Sequence, residues 1–399
     1  MPGIRTFRIL IACLTAPLLS AAASAHEGHT HHKHGEHSAA QTATTLAADS
    51  DIGETFTKDG KTYRWKHRAD LGKQPEAMVA AAKGGLHNNA DRDLQSGEVV
   101  TVVKDYGLVS LDPELGQWKL VEDQDELFAQ GMNAHGADCF LLNGQSYWAF
   151  ASTNTGEIVV SQRGKIVARL RQPKGDEFDN PTVNAYFAKG GRFTPCDVVF
   201  LPKTQSLVCV IGYAPGDFAM SAKISDGEWS WGGAAWGGKV NVGGPFNTAH
   251  GVQVQQMDDQ EIVEIASRSH GRVYGFTPDG AEVRLPGTAK EYFIQLPDRS
   301  TPCNISHLGG QMFLPLLNPL ADTDGVAPVL VMKDGKPVGR LIPANHEGLQ
   351  FMHHMHGFCP VQVGDTLFGV ALSWPNGGEN KAGKRNDGQI AIFEAVEVQ

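Results

Sequence analysis

A short motif returning at a near-constant interval constrains this chain more than any other feature. From residue 84 onward it divides into six stretches of roughly 45 to 60 residues. They open at "GGLHNNADRD" (84), "NAHGADCFL" (133), "FTPCDVVFL" (193), "NTAHGVQVQ" (247), "STPCNISHL" (300) and "HMHGFCPVQV" (354). A unit of that size cannot bury its apolar face alone, so repeats of this kind stack on one another. Within the units, "SLVCVIGY", "EIVEIASR", "GRVYGFTPDG", "DTLFGVALS" and "QIAIFEAVEV" are short β-branched or alternating runs bounded by turn residues. That density of strands and turns predicts an all-β fold. Six four-stranded units fit a six-bladed β-propeller with a central channel. A seven-bladed ring, with 51–83 as an extra blade, and a two-domain sandwich are the alternatives. "GKTYRWKHR" (60–68) is expected to add a closing strand to the last blade, and "QPEAMVAAA" (74–82) is the one helical candidate.

Aligning the six starts places His135, His250 and His356 at one position in the second, fourth and sixth units. The third and fifth carry Pro195-Cys196 and Pro302-Cys303 there, and His87 falls nearby in the first. In a propeller, equivalent residues on alternate blades converge around the channel. Three histidines so placed form a nitrogen-ligand site with an open fourth position, which suits zinc first and copper second. His87, Cys196 and Cys303 are further candidates for the metal or the channel wall. His270, His307, His353 and His354 fall near strand ends, as outer neighbours or surface residues. Trp229, Trp231 and Trp236 are expected in blade packing rather than over a channel mouth, and 375–388 reads as a polar rim loop.

Residues 1–25 read as a signal peptide: Arg5 and Arg8, the apolar "ILIACLTAPLLSAAA", then Ala23-Ser24-Ala25. The apolar run is too short to span a bilayer, so the expected location is periplasmic or secreted. Removing it takes the formal charge from −10 to −12, which argues against nucleic acid as a partner. The next segment, 26–50, begins "HEGHTHHKHGEH", with six histidines (His26, His29, His31, His32, His34, His37) in twelve residues. It has too little apolar surface to offset its ordering entropy and is expected to be disordered. Neutral imidazoles at that density gather zinc or copper. The propeller is then 51–399. Five cysteines remain after the signal, and Cys196 and Cys209, flanking the "PKTQ" turn, are the expected disulfide pair.

The run "NAHGADCFL…SYWAFASTNTGEIVV", "FTPCDVVFL…CVIGYAPGDF", "WSWGG", "GPFNTAHGVQV" and "IASRSHGRVYGFTPDG" resembles NHL-type propellers, and among them the peptidylglycine amidating lyase domain. The resemblance covers roughly residues 130–280, and the later units only through "HMHGF". It implies zinc on His135, His250 and His356, a catalytic tyrosine at Tyr213 and a substrate-facing arginine at Arg268. Gly357 stands where that family has a calcium-binding aspartate, and Arg92 does not match its first-blade arginine. The metal scaffold therefore carries over more directly than peptide amidation does. The leading expectation is a zinc-dependent lyase or hydrolase acting on a small hydroxylated or carbonyl substrate. In it Tyr213 moves a proton, its pKa brought towards neutrality by the metal or Arg268, while Arg268 holds a carboxylate. The rival is a metal-storage protein or metallochaperone serving a delivery partner, with the tail as its collector.

Overall fold

The computed structural model describes residues 52–399 except 226, 258, 289–290, 299 and 376–384. The expected signal segment, the histidine tail and most of the 375–388 loop lie outside the described residues. The chain starts with the hairpin β1 (Thr55–Lys58) and β2 (Lys61–His67), then α1 (Glu76–Gly85). Blade one holds β3 (Asp91–Arg92), β4 (Val99–Val103), β5 (Gly107–Leu111) and β6 (Trp118–Leu120). Blade two runs from β7 (Ala134–Leu142) through β8 (Gln145–Ser152) and β9 (Glu157–Gln162) to β10 (Lys165–Leu170). After α2 (Pro181–Ala188), blade three holds β11 (Asp197–Leu201), β12 (Ser206–Val210), β13 (Phe218–Ser225) and β14 (Glu228–Gly237).

Blade four holds β15 (Ala249–Met257), β16 (Gln260–Ser267), β17 (Arg272–Phe276) and β18 (Phe293–Gln295). Blade five holds β19 (Ser306–Leu308), β20 (Gln311–Pro315), β21 (Val329–Lys333) and β22 (Lys336–Leu341). Blade six, β23 (Met355–Val363), β24 (Thr366–Ser373) and β25 (Ile390–Glu397), is completed by the N-terminal hairpin, because β2 pairs with β25. The ring is thus six-bladed and all-β, and "GKTYRWKHR" supplies the closing strand as expected. No helix among the described residues is long and apolar enough to cross a membrane.

The core is divided into one apolar cluster per interface between blades. Successive side chains of a strand point to opposite faces, so a strand covered on both faces feeds two interfaces. Val198 packs towards blade two and Val199 towards blade four; Val99 faces blade six and Val100 blade two. With both faces covered, β4 (VVTVV) and β12 (SLVCV) are buried at every position, which is why they read as continuous apolar runs. The outer strand β10 alternates exposed and covered positions instead. Trp229 and Trp231 pack at the interface of blades two and three and Trp236 at that of three and four, as expected of blade packing.

Aspartates stitch the innermost strands together. Asp91 Oδ2 accepts the Cys139 N–H (2.6 Å), Asp138 Oδ2 that of Phe200 (2.8 Å) and Asp197 Oδ2 that of Val252 (3.0 Å). Burial pushes Asp91 up to about 6 and Asp197 up to about 8, and it raises Asp138 as well, with Asp91 adding to that shift. The folded chain keeps protons that the unfolded chain gives up near pH 4. That contribution to stability is fully present below about pH 4 and is lost as pH rises through the folded values, between 6 and 8. Melting of the metal-free protein should therefore move to lower temperature between pH 7 and pH 8, above the range in which the depressed channel histidines add a slope of opposite sign. Asp197→Asn should flatten that slope; an unchanged slope would remove Asp197 as its source.

Candidate metal centre

Each of His135, His250 and His356 sits at a register break on the first strand of its blade. Pairing skips from Ala134 to Gly136, from Ala249 to Gly251 and from Met355 to Gly357, so the histidine is the extra residue of a β-bulge. Bulges re-aim a side chain out of the alternating pattern, and here all three imidazoles turn together. Each Nδ1 lies against a backbone carbonyl of the following blade: His135 with Cys196 O (2.7 Å), His250 with Cys303 O (2.6 Å), His356 with Asn88 O (3.0 Å). A carbonyl only accepts, so Nδ1 carries the proton and donates it, and Nε2 is left as a bare lone pair.

The glycine after each histidine has the same explanation. A Cβ on Gly136 would lie 2.5 Å from Asp197 Cα, one on Gly251 2.8 Å from Asn304 Cα, and one on Gly357 3.2 Å from Asn89 Cα. The backbone must approach the segment whose carbonyl orients the ring, and only glycine leaves room. The His-Gly repeat is therefore a docking device, used where blades two, four and six meet three, five and one.

The bare nitrogens converge. His135 Nε2 and His356 Nε2 are 3.1 Å apart, and the Tyr213 hydroxyl is 2.8 Å from His250 Nε2 and 3.2 Å from His135 Nε2. Two lone pairs facing each other at hydrogen-bond distance repel unless a cation sits between them. Tetrahedral zinc, with Zn–N near 2.05 Å, holds its nitrogens about 3.3 Å apart, close to what these two rings offer. Burial and neighbouring positive charge hold His87, His135 and His250 well below the ordinary histidine range, and burial pushes His356 down to about 3. All four imidazoles are neutral at pH 7, which is the form that binds metal.

The structure gathers these residues differently from a single three-histidine ring. The donor atoms of His87, His135 and His356 lie within 4.8 Å of one another, and so do those of His250, Cys303 and His356. His356 belongs to both groups, and the Tyr213 hydroxyl stands between His135 and His250. These buried His/Cys groupings could hold a metal ion. His87 stacks on Trp374 (centroids 4.2 Å) and meets the rings of His135 and His356 edge-on (4.5 Å each). Its Nε2 is buried without a hydrogen-bond partner, and Nδ1 faces the Asn133 amide at 3.3 Å. Turning that amide, whose O and N assignment is interchangeable, would let Nδ1 donate and free Nε2 as a ligand. Above His87 a cavity of ≈ 200 Å³, lined by Lys104, Asn133, Asn154 and Trp374 among others, opens the channel to solvent.

Arg268, in the 3-10 turn after β16, donates from Nη1 to the Tyr213 hydroxyl (3.0 Å) and lies over its ring. It is half-buried and forms no salt bridge among the described residues. Arg268 does not bring Tyr213 towards neutrality. Burial raises the phenol well above its usual value and the guanidinium offsets only part of that, so of the two expected causes Arg268 by itself does not make Tyr213 titrate readily. Burial likewise raises Cys196 to about 12 and Cys303 to about 11, with Arg268 opposing the shift at both.

Cys196 and Cys209 do not pair: all five described cysteines are free. Cys209 packs into the interface of blades two and three and Cys196 into that of three and four, on opposite sides of the sheet. His307 is an interblade partner, its Nε2 2.5 Å from Glu264 Oε2, and His270 rests near Tyr274. His353 and His354 are buried, with backbone N–H groups held by Asn386 Oδ1. Asn88, whose carbonyl orients His356, and Trp374 were not singled out from the sequence; the "HNN" of the first unit was the available signal for Asn88.

The chain matches no protein-family model, and no curated protein matches it. Among solved structures, it is similar to a protein of unknown function from Bacteroides caccae. The identity is 12%, the TM-score 0.43, and the alignment covers 79% of this chain and 92% of the other.

Proposed function

We propose that this chain is an exported metal-handling protein, which collects zinc or copper with its histidine tail and holds the ion in the propeller channel for delivery to a partner. The carrying observation is the arrangement of neutral, carbonyl-locked imidazoles in two overlapping ligand groups that share His356. Overlapping groups let an ion change partners without leaving the channel. The mouth cavity of ≈ 200 Å³ is smaller than the roughly 300–1,000 Å³ usual for small-molecule sites. Arg268, one hydrogen bond from the cluster, lowers the affinity for a dication and so favours release.

The test compares protein purified from the export compartment with the His135→Ala/His250→Ala/His356→Ala variant and with a deletion of residues 26–37. The full chain is expected to carry one buried equivalent of metal that the triple variant lacks. The deletion is expected to keep that equivalent once loaded but to capture zinc, and hand it to a chromogenic chelator, more slowly. Capture and transfer unaffected by the deletion would count against delivery. No metal in any variant would leave the histidines as struts between blades.

A second reading, a zinc-dependent lyase or hydrolase, is favoured by the chain from Arg268 through the Tyr213 hydroxyl to His250 and His135. In it the metal binds a substrate hydroxyl or carbonyl as Lewis acid, and Arg268 takes a carboxylate. Turnover of a hydroxylated carboxylic acid that is lost in Tyr213→Phe, with metal content unchanged, would favour this reading over delivery.

A further inference from the structure

The channel centre has a charge problem that three histidines do not solve. A divalent ion on the buried, neutral imidazoles of His135, His250 and His356 brings two positive charges beside the half-buried Arg268 guanidinium. Burying charge without a partner is costly. No carboxylate is among the donor groups that the structure gathers there, and Arg268 has no salt bridge among the described residues. The acids that act on Arg268 are the Tyr213 phenol and the Cys303 and Cys196 thiols, with the Asp217 carboxylate a further partner, and of these only Cys303 falls in a gathered ligand group. Tyr213 is already engaged by Arg268 and two imidazoles. Cys303 is buried, and its Sγ lies within 4.8 Å of donor nitrogens of both His250 and His356. Its thiol donates a long hydrogen bond, 3.9 Å to Thr301 O, and its sulfur faces the Arg268 guanidinium.

Cys303 also lies at the repeat position that docks on the His250 strand. Its own carbonyl accepts the His250 Nδ1–H (2.6 Å), so one residue fixes that imidazole from outside while its sulfur faces the same site. Cys196 is its counterpart in blade three and orients His135 in the same way. It does not fall within either gathered ligand group.

We infer that Cys303 is a thiolate ligand: with His250 and His356 it forms a second, sulfur-containing position for a zinc or copper(I) ion, deeper than the position at His87, His135 and His356. On binding, the thiol proton leaves to water as the sulfur–metal bond forms, and the thiolate offsets part of the combined charge of ion and Arg268. A soft sulfur donor selects ions such as zinc and copper(I) over magnesium or calcium, for which the channel centre offers no oxygen set. The inference rests on the metal-handling reading, and it adds the place where the ion is held after passing the mouth.

Cobalt(II) is the probe, because a cobalt–thiolate bond gives an intense near-ultraviolet charge-transfer band that nitrogen ligands do not. The full-length exported protein, kept reduced, is titrated with cobalt alongside Cys303→Ser, Cys196→Ser and the triple histidine-to-alanine variant. The band is expected in the unmodified protein and in Cys196→Ser, and its complete loss is expected in Cys303→Ser. Circular dichroism identifies any variant that fails to fold, and Cys303→Ala then serves as the replacement. Cobalt bound above the level of the triple variant, with visible d–d bands but no sulfur band, would overturn the thiolate ligand and leave the histidine centre standing. A band that persists in Cys303→Ser would assign the sulfur elsewhere. Cobalt uptake equal to that of the triple variant would overturn both proposals.

Discussion

Alanine at His356 is expected to remove tight metal binding from the propeller, whereas alanine at His87 or at Cys303 removes only one of two arrangements. His356 is the residue common to both ligand groups, and it is also the ring whose Nε2 faces His135 Nε2 at 3.1 Å. Loss of an outer partner of a metal ligand typically weakens affinity about 10- to 100-fold, so loss of a ligand shared by both positions should cost at least about 100-fold. Competition against a chromogenic chelator measures this directly. The substitution also leaves the Asn88 carbonyl without its donor, at a stability cost of about 1–3 kcal/mol. The comparison is therefore made below the melting transition of the variant. Affinity in His356→Ala equal to that of the unmodified protein would mean that the ion sits elsewhere. Equal losses in His356→Ala, His87→Ala and Cys303→Ala would mean one site with all of these ligands rather than two overlapping ones.

Much of this arrangement was legible because a repeat turns a position in sequence into a position in space. The alternate-unit histidines could be placed around one channel before any strand was assigned, and "GKTYRWKHR" could be assigned to the closing blade from its pattern. What stayed hidden were features that depend on the neighbouring blade. That His135, His250 and His356 are bulge residues follows from pairing registers, which a period-two pattern does not reveal. The carbonyls of Cys196, Cys303 and Asn88 act through backbone atoms, to which side-chain identity gives no clue. The Cys196–Cys209 pairing was expected from proximity along the chain and failed because the two side chains enter different interfaces. Helix α2 was missed although "DNPTV" carried a signal: Asn180 caps the N–H groups of Thr182 and Val183, and Pro181 takes the first helical position. Its eight residues are too few to show a helical period.

Gly251→Ala should be clearly destabilising, for a reason that links the fold to the metal. The added Cβ would lie 2.8 Å from Asn304 Cα and 2.9 Å from the Cys303 carbonyl oxygen. These are backbone atoms of the neighbouring blade, so no rotamer change relieves the clash. Overpacking of this kind costs about 1–3 kcal/mol. Displacing the Cys303 carbonyl from His250 Nδ1 leaves a buried donor unpaired for about 1–3 kcal/mol more. Gly84→Ala is the control: it lies in α1, its Cβ would meet nothing within 4 Å, and it should stabilise by up to about 1 kcal/mol. Denaturant unfolding of the metal-free forms reads both changes. The docking account further requires Gly251→Ala to bind metal more weakly than its loss of stability alone would explain, because the ring it displaces is itself a candidate ligand. A Gly251→Ala protein as stable as the parent would show that blades four and five do not meet at this glycine. One that is destabilised but binds metal at full strength would show that the His250 ring does not depend on the Cys303 carbonyl for its aim.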